Sequence, residues 1–240
     1  MNNFLDSSVL FWPMLTLACL IIFFFNLYKV IHRTSWDDRR KRNVFTFALI
    51  LIISWIALIS VLSMKGFFAD FTHLPPRPAL IIILPLIFAL WFIFSKPGSD
   101  LLRHALPQGL IYMQSFRIIV ELLLWLSFLN NVLPIQMTFE GGNLDILSGL
   151  LALPTGYFVM KNKLTTRVIL VYNIIGLVLL INILIIAVLS FPTPLRHFMN
   201  EPSNAIIAQF PYILLPGVLV PLAYSLHLFS LRQWFLKESS

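Results

Sequence analysis

Three polar residues inside a long apolar stretch, Gln114, Arg117 and Glu121, have the side chains in this sequence best suited to ligand binding or proton transfer. At about 100° per residue along a helix, the three positions fall on one face. Arg117 and Glu121 are four residues apart, which is close enough for an ion pair. A charge at the centre of a membrane-spanning helix costs roughly 2.5–3.5 kcal/mol, so we expect this face to point away from lipid.

Two interpretations of this polar face stay open. In the first, Arg117 and Glu121 neutralise each other as a structural ion pair, and Gln114 bonds to a neighbouring helix. In the second, Arg117 binds an anionic or polar ligand, or Glu121 carries a proton, because charged residues in membrane interiors are functional by default. The candidate ligand-binding site then extends to further polar and aromatic residues: Trp125, Tyr157, Asn173 and Tyr224.

The segment after this helix, IQMTFEGGNLDIL, contains a second group of polar residues: Glu140, Asn143 and Asp145. Its two consecutive glycines predict a tight turn. Asn143 or Asp145 can cap the next helix, where an acidic group also suits the helix dipole. Capping does not account for Glu140, so a loop that binds a ligand or a metal is the alternative. No spacing here resembles a metal motif, and we predict no metal ligand and no cofactor.

The elements that carry these residues are long apolar runs. The chain has 240 residues, 59% of them hydrophobic and only 11% charged, against about 25% charged residues in a soluble domain. Seven runs are long enough to cross a hydrocarbon core of about 30 Å. We therefore predict an all-α, polytopic membrane protein with one domain over residues 1–240. The predicted transmembrane helices are 8–30, 44–65, 78–95, 108–133, 145–162, 166–191 and 208–232.

The basic residues between these runs predict the orientation. Thirteen of the 17 Lys and Arg residues fall on the first, third and fifth connections and the C-terminal end, and three fall on the other side. Because positive charge stays on the cytoplasmic side, the N-terminus is predicted outside and the C-terminus inside. The basic segment RTSWDDRRKR is then a juxtamembrane lipid contact, so we expect the bilayer as partner and no nucleic acid.

Other sequence features bear on mechanism. Pro211, Pro216 and Pro221 predict an irregular last helix, since each proline frees a backbone carbonyl. Cys19 is the single cysteine, which excludes a disulfide framework within the chain. There is no HExxH, GxSxG or Gly-rich phosphate-binding motif, so catalysis is not favoured.

The combination of QSFRIIVE with LPIQMTFEGGNLDILSGL resembles segments of uncharacterised bacterial integral membrane proteins, over about residues 114–150. The resemblance implies only a bacterial origin, and together with the predicted transmembrane helices this origin makes the cytoplasmic membrane the expected location of a multi-pass protein. It implies no activity, cofactor or catalytic residue.

Three functional hypotheses follow from the sequence. The favoured one is binding or transport of a small molecule at the polar site on the fourth helix. The second is a non-catalytic membrane subunit or sensor that acts through a membrane protein partner or a second copy of itself. The third is an intramembrane enzyme on a lipid-like substrate, with Glu121 or Glu140 as acid or base.

Overall fold

The computed structural model describes residues 2–72, 75–163 and 166–238, and these residues form α-helices joined by short connections, with no β-strand among them. The all-α prediction is confirmed to this extent. The α-helices are α1 (Asn2–Arg33), α2 (Asp38–Met64), α3 (Pro78–Phe94), α4 (Lys96–His104), α5 (Pro107–Met113), α6 (Phe116–Leu129), α7 (Ile146–Met160), α8 (Thr166–Leu189) and α9 (Val220–Glu238).

Five helical segments are long and apolar enough to cross a membrane. A sixth is added if α3 and α4, which meet at a bend of 77°, count as one span. The remaining apolar helix, α7, is shorter. All seven predicted runs coincide with helices, whereas the count of seven spans and the orientation stay predictions. The five segments are Val9–Arg33, Asp38–Met64, Pro107–Leu129, Arg167–Leu189 and Leu215–Leu236.

The fourth predicted helix is interrupted immediately before its charged residues. The backbone N–H of Gln114 donates to Ile111 at 2.9 Å, and that of Ser115 donates to Tyr112 at 3.0 Å. Bonds over three residues tighten the turn, and such a turn within a span frequently marks a functional position. The continuous helix predicted over 108–133 is therefore wrong at residues 114–115, where α5 ends and α6 follows.

The proline-rich last span is irregular, as predicted. A π-helical turn, Leu215–Leu219, contains Pro216 and Gly217 and leads into α9. The carbonyl oxygen of Gly217 accepts a hydrogen bond from Trp55 Nε1 of α2 at 2.8 Å. A π turn leaves backbone groups free for partners outside the helix, and here α2 supplies the partner.

The central element of the fold is the last of these segments, which ends in α9. α9 packs against α3, α4, α5 and α8, and its span is the most buried of the five. α7 packs against both α5 and α6. α1 packs against α4, α5 and α6 and places Trp12, Leu15 and Cys19 in the main hydrophobic core, whereas α2 is the least buried of the five segments.

α6 and α7 approach closely because α7 has small residues on the facing side. A Cβ at Gly149 would lie 2.9 Å from the backbone nitrogen of Ile118. Ala152 is fully buried on the same face. Small residues allow helix backbones to approach, and this approach places the N-terminus of α7 beside Arg117.

We expect Gly149→Ala to destabilise the protein by about 1–3 kcal/mol, because the added methyl group overpacks a backbone contact. The matched control is Gly109→Ala in α5, where a Cβ meets only Asn26 Oδ1 at 3.9 Å. The melting temperature in detergent should fall for Gly149→Ala and hold or rise for the control, since alanine is the better helix former. Equal melting temperatures would contradict the close α6–α7 contact.

Candidate functional site

Arg117 is only 1% exposed, and each of the three nitrogens of its guanidinium donates to an acceptor within the protein. Its Nε donates to Asp145 Oδ2 at 2.6 Å, and its Nη2 pairs with Asp145 Oδ1. Its Nη1 donates to Ser148 Oγ at 2.7 Å and to His227 Nε2 at 2.9 Å. Its Nη2 also reaches the carbonyl oxygen of Gly176 at 3.5 Å. One side chain of α6 therefore joins α7, α8 and α9.

Arg117 does not pair with Glu121, so the first of the two interpretations, a structural Arg117–Glu121 ion pair, does not apply. Arg117 pairs in a two-pronged geometry with Asp145, next to the N-terminus of α7, and such bidentate pairs are the strongest of their kind. Spacing along one helix permits a contact but does not select it. Here the close approach of α7 brings a carboxylate that meets both prongs of the guanidinium.

The network continues from His227 to α8 and back to α9. Because His227 Nε2 accepts from Arg117, its Nδ1 carries the proton and donates to Asn173 Oδ1 at 2.9 Å. Asn173 Nδ2 in turn donates to Ser230 Oγ and to the carbonyl of Ile169, both at 2.8 Å. Only one of the two ring nitrogens carries a proton, so His227 is a neutral imidazole in this arrangement.

Space for the His227 ring depends on a glycine in α8. A Cβ added at Gly176 would overlap the imidazole, and it would also lie 2.9 Å from Ser148 Oγ. Gly176 therefore does two things at once: its carbonyl accepts from Arg117, and its missing side chain leaves room for His227.

Glu121 has a different environment from Arg117. Its Oε1 accepts from Asn143 Nδ2 at 2.6 Å, whereas its Oε2 has no hydrogen-bond partner in the part of the chain that the structure describes. Gln114 is similar, since its Nε2 donates to the carbonyl of Ala223 at 3.0 Å and its Oε1 has no described partner. Both residues are 1% exposed. Two buried acceptors on one face of the fourth span thus lack a donor.

The loop between α6 and α7 folds over Glu121. Asn143 Nδ2 also donates to the carbonyl of Met137 at 3.0 Å, and its Oδ1 accepts from the backbone N–H of Asp145 at 3.1 Å. Asn143 thus makes the turn into α7, as expected of a capping residue. Asp145 does not cap with its side chain, because its carboxylate is bound to Arg117.

The remaining loop residue, Glu140, lies at the exposed rim. Its Oε1 accepts from Trp125 Nε1 at 3.0 Å, and the Trp125 ring lies 5.9 Å from that of Phe139. Trp125 and this exposed carboxylate therefore lie between Glu121 and the exposed surface of the loop. No group of three His, Cys, Asp or Glu side chains within the described ranges is arranged to hold a metal ion.

Two predicted site residues lie elsewhere. Tyr157 is 47% exposed on the outer side of α7, where Lys161 Nζ lies 6.0 Å from its ring centre. Tyr224 is buried, but its hydroxyl donates to the carbonyl of Ile82 in α3 at 3.0 Å. An aromatic ring can fill apolar space on any face of a helix, so its presence at a matching depth did not determine direction.

Four residues of the network lie outside the site predicted from the sequence: Ser148, Gly176, His227 and Ser230. Spacing carried a signal for three of them. Ser148 is three residues from Asp145, and Ser230 is three residues from His227, so each pair shares a helix face. Nothing in the sequence marks Gly176 as an acceptor, because the acceptor is its backbone.

Taken together, the fold and the site define an all-helical protein with several candidate membrane spans and a buried ionic network joining four of its helices. Residues 77–235, about two thirds of the chain, match the model of a family described as "Domain of unknown function (DUF8737)". The chain belongs to this family, and the resemblance at residues 114–150 is confirmed as far as membership of a family of unknown function. No curated protein and no solved structure matches the chain.

We expect Asp145→Asn to destabilise the protein by about 3–5 kcal/mol, because Arg117 would keep a buried charge without its counter-ion. Glu121→Gln should cost less than about 1 kcal/mol, since Asn143 can still donate to the retained oxygen. Melting temperatures of the two variants in the same detergent test this order. The reverse order would mean that Glu121 is the counter-ion of Arg117.

Proposed function

We propose that the chain is a multi-pass integral membrane protein that binds or transports a small molecule at the polar site between α6, α7, α8 and α9. Seven crossings, with the N-terminus outside and the C-terminus cytoplasmic, fit the charge asymmetry of the connections. The five long apolar helices support the membrane placement. α3 with α4, and α7 with the loop before it, would supply the other two crossings.

The short α7 is compatible with a crossing because the loop before it is itself folded. Its 15 residues span about 22 Å, less than a hydrocarbon core of about 30 Å. In the loop, the backbone N–H groups of Gly141 and Asn143 both donate to the carbonyl of Thr138 at 3.0 Å. Asn182 of α8 donates to the carbonyl of Gly142 at 3.0 Å. Irregular backbone at membrane depth is tolerated where protein groups satisfy it.

The observation that carries the proposal is the contrast between the two charged residues of α6. All three guanidinium nitrogens of Arg117 already bond to groups of the protein, and its charge is paired with Asp145. Glu121 has a buried oxygen without a described partner, and Gln114 has another. The available groups are acceptors, so the ligand should be a hydrogen-bond donor, such as a proton or a protonated small molecule.

Charge balance supports the same assignment. Arg117 and Asp145 neutralise each other through their two contacts. The carboxyl of Glu121 has only the neutral Asn143 as its direct partner. A second buried carboxylate would be costly there, and a proton or a cationic ligand removes that cost. We infer that Glu121, rather than Arg117, is the residue that engages the ligand.

A route into the protein follows the polar groups already described. Glu140 is exposed and bound to Trp125, one turn beyond Glu121 on α6. Towards the other end, the polar line on α9 extends past Ser230 to Gln233. Gln233 donates to the carbonyls of Leu102 and Ala105 at 2.6 and 2.7 Å. Polar side chains therefore extend in both directions from the network around Arg117, which favours transport over binding at a closed site.

Infrared difference spectra of the purified protein between acidic and alkaline buffer would test whether Glu121 takes up a proton. We expect the band of a buried protonated carboxyl group in the wild type and its loss in Glu121→Gln. Glu201→Gln is the control, because that carboxylate is exposed and pairs with Arg196 at 2.9 Å. A band that persists in Glu121→Gln would contradict the proposal that Glu121 takes up the proton.

Proteoliposomes loaded with a pH-sensitive dye would test transport of the proton itself. After an inside-negative potential is imposed, we expect wild-type vesicles to acidify faster than empty ones. Glu121→Gln vesicles should match empty ones although the variant is folded, and Glu201→Gln vesicles should match the wild type. Equal acidification rates for wild-type and empty vesicles would mean that the protein does not transport protons, and only binding at the site would remain.

A further inference from the structure

An apolar groove separates the first half of α2 from α3, α4 and α9. It consists of two adjoining cavities of about 470 and 300 Å³, each within or near the range of about 300–1,000 Å³ of small-molecule pockets. Six residues line both cavities, so the two form one continuous groove: Phe23, Leu51, Ile52, Phe88, Phe92 and Phe229.

The groove remains open because α2 is held at both ends. At the C-terminal end of α2, which is the far end of the groove, Ser63 Oγ donates to the carbonyl of Ala208 at 2.8 Å. Ile59 packs there in the space that a Cβ at Gly217 would occupy. At the N-terminal end of α2, which is the near end of the groove, Trp36 Nε1 donates to Asp100 Oδ2 of α4 at 3.3 Å. Contacts at the two ends leave the middle of α2 apart from α3.

The shape of the groove suits an extended hydrocarbon chain. Along α2 its lining runs from Asn43 to Ile56, which is about 20 Å of helix. One leaflet of a core about 30 Å thick is about 15 Å deep, so a chain entering at the near end reaches past the midplane. The lining is almost wholly aliphatic and aromatic, which offers no partner to a polar solute.

Charge complementarity identifies the head group. Lys41 is one helical turn before the lining residue Val44, and Arg40 beside it stacks over Trp36 at 4.3 Å. Across the groove, the exposed Lys96 stands between the lining residues Ser95 and Pro97. Basic side chains thus lie on both sides of the same end, the end that the charge rule places on the cytoplasmic side.

We propose that this groove binds one acyl chain of an anionic phospholipid, with the phosphate held between Lys41 and Lys96. The bilayer supplies the chain at high local concentration, and the basic rim selects a negative head group. This site shares with the proposed function only the membrane placement. It involves neither Glu121 nor Arg117, so either proposal can fail without the other.

Native mass spectrometry of the purified protein, titrated with phosphatidylglycerol or with phosphatidylcholine of the same chains, tests the proposal. We expect one phosphatidylglycerol to be retained in preference to phosphatidylcholine. Ala48→Trp, which fills the groove from α2, should abolish that retention. Ile50→Trp, an equally large change at an exposed position of the same helix, should leave it intact.

The head-group contact is tested by the double variant Lys41→Gln with Lys96→Gln. We expect roughly thirtyfold weaker retention of phosphatidylglycerol and no change for phosphatidylcholine. Lys161→Gln with Lys163→Gln removes the same charge on the same predicted side, away from the groove, and should retain wild-type selectivity. Glu121→Gln should also bind the lipid normally, which separates this site from the proton site.

Several outcomes would overturn the lipid site. Equal retention of the two lipids, or retention by Ala48→Trp equal to that by Ile50→Trp, would each exclude it. A stable dimer that is present in the wild type and absent in Ala48→Trp would mean that a helix of a second copy fills the groove instead.

Discussion

The contact between Arg117 and Asp145 is the interaction on which the rest of the core depends. It neutralises a buried positive charge and fixes the N-terminus of α7 against the first turn of α6. Once the guanidinium is oriented by this pair, its remaining N–H groups determine the positions of Ser148, His227 and the Gly176 carbonyl. Four helices are thereby set in register by one side chain, and the tautomer of His227 follows from it.

The same pair explains why one carboxylate oxygen of Glu121 has no partner among the described residues. If Arg117 were bound to Glu121, both charges of α6 would be satisfied and the fourth span would be inert. Because Asp145 takes the arginine, Glu121 keeps an oxygen without a described partner beneath a folded loop. A structural ion pair and a buried carboxyl group with one unbonded oxygen are thus two results of one choice of partner, and the rings of Trp125 and Phe139 are in contact at the loop beyond Glu121.

Much of this arrangement could be predicted from the sequence, and the remainder could not for definite reasons. Helical periodicity correctly placed Gln114, Arg117 and Glu121 on one buried face, because that depends only on the local helix. The partner of Arg117 depends on how closely α7 approaches, and this is determined by Gly149 and by a loop whose path no periodicity reveals. Asn173 was identified from its depth, whereas Tyr157 at a similar depth points outward, since depth along a helix does not give direction around it. Backbone acceptors such as the Gly176 carbonyl leave no trace in a sequence.

The separation of the partners along the chain has a consequence for biosynthesis. Arg117 and Asp145 are 28 residues apart, whereas Arg117 and His227 are 110 apart. As the chain leaves the ribosome, α6, the loop and α7 emerge together long before α9, so the cation and its anion are available to each other from the start. Asp145 can therefore neutralise Arg117 before α9 has been synthesised, whereas the hydrogen bond from Arg117 to His227 can form only afterwards. The cost of a charge in an apolar environment is thus reduced before the last helix is made.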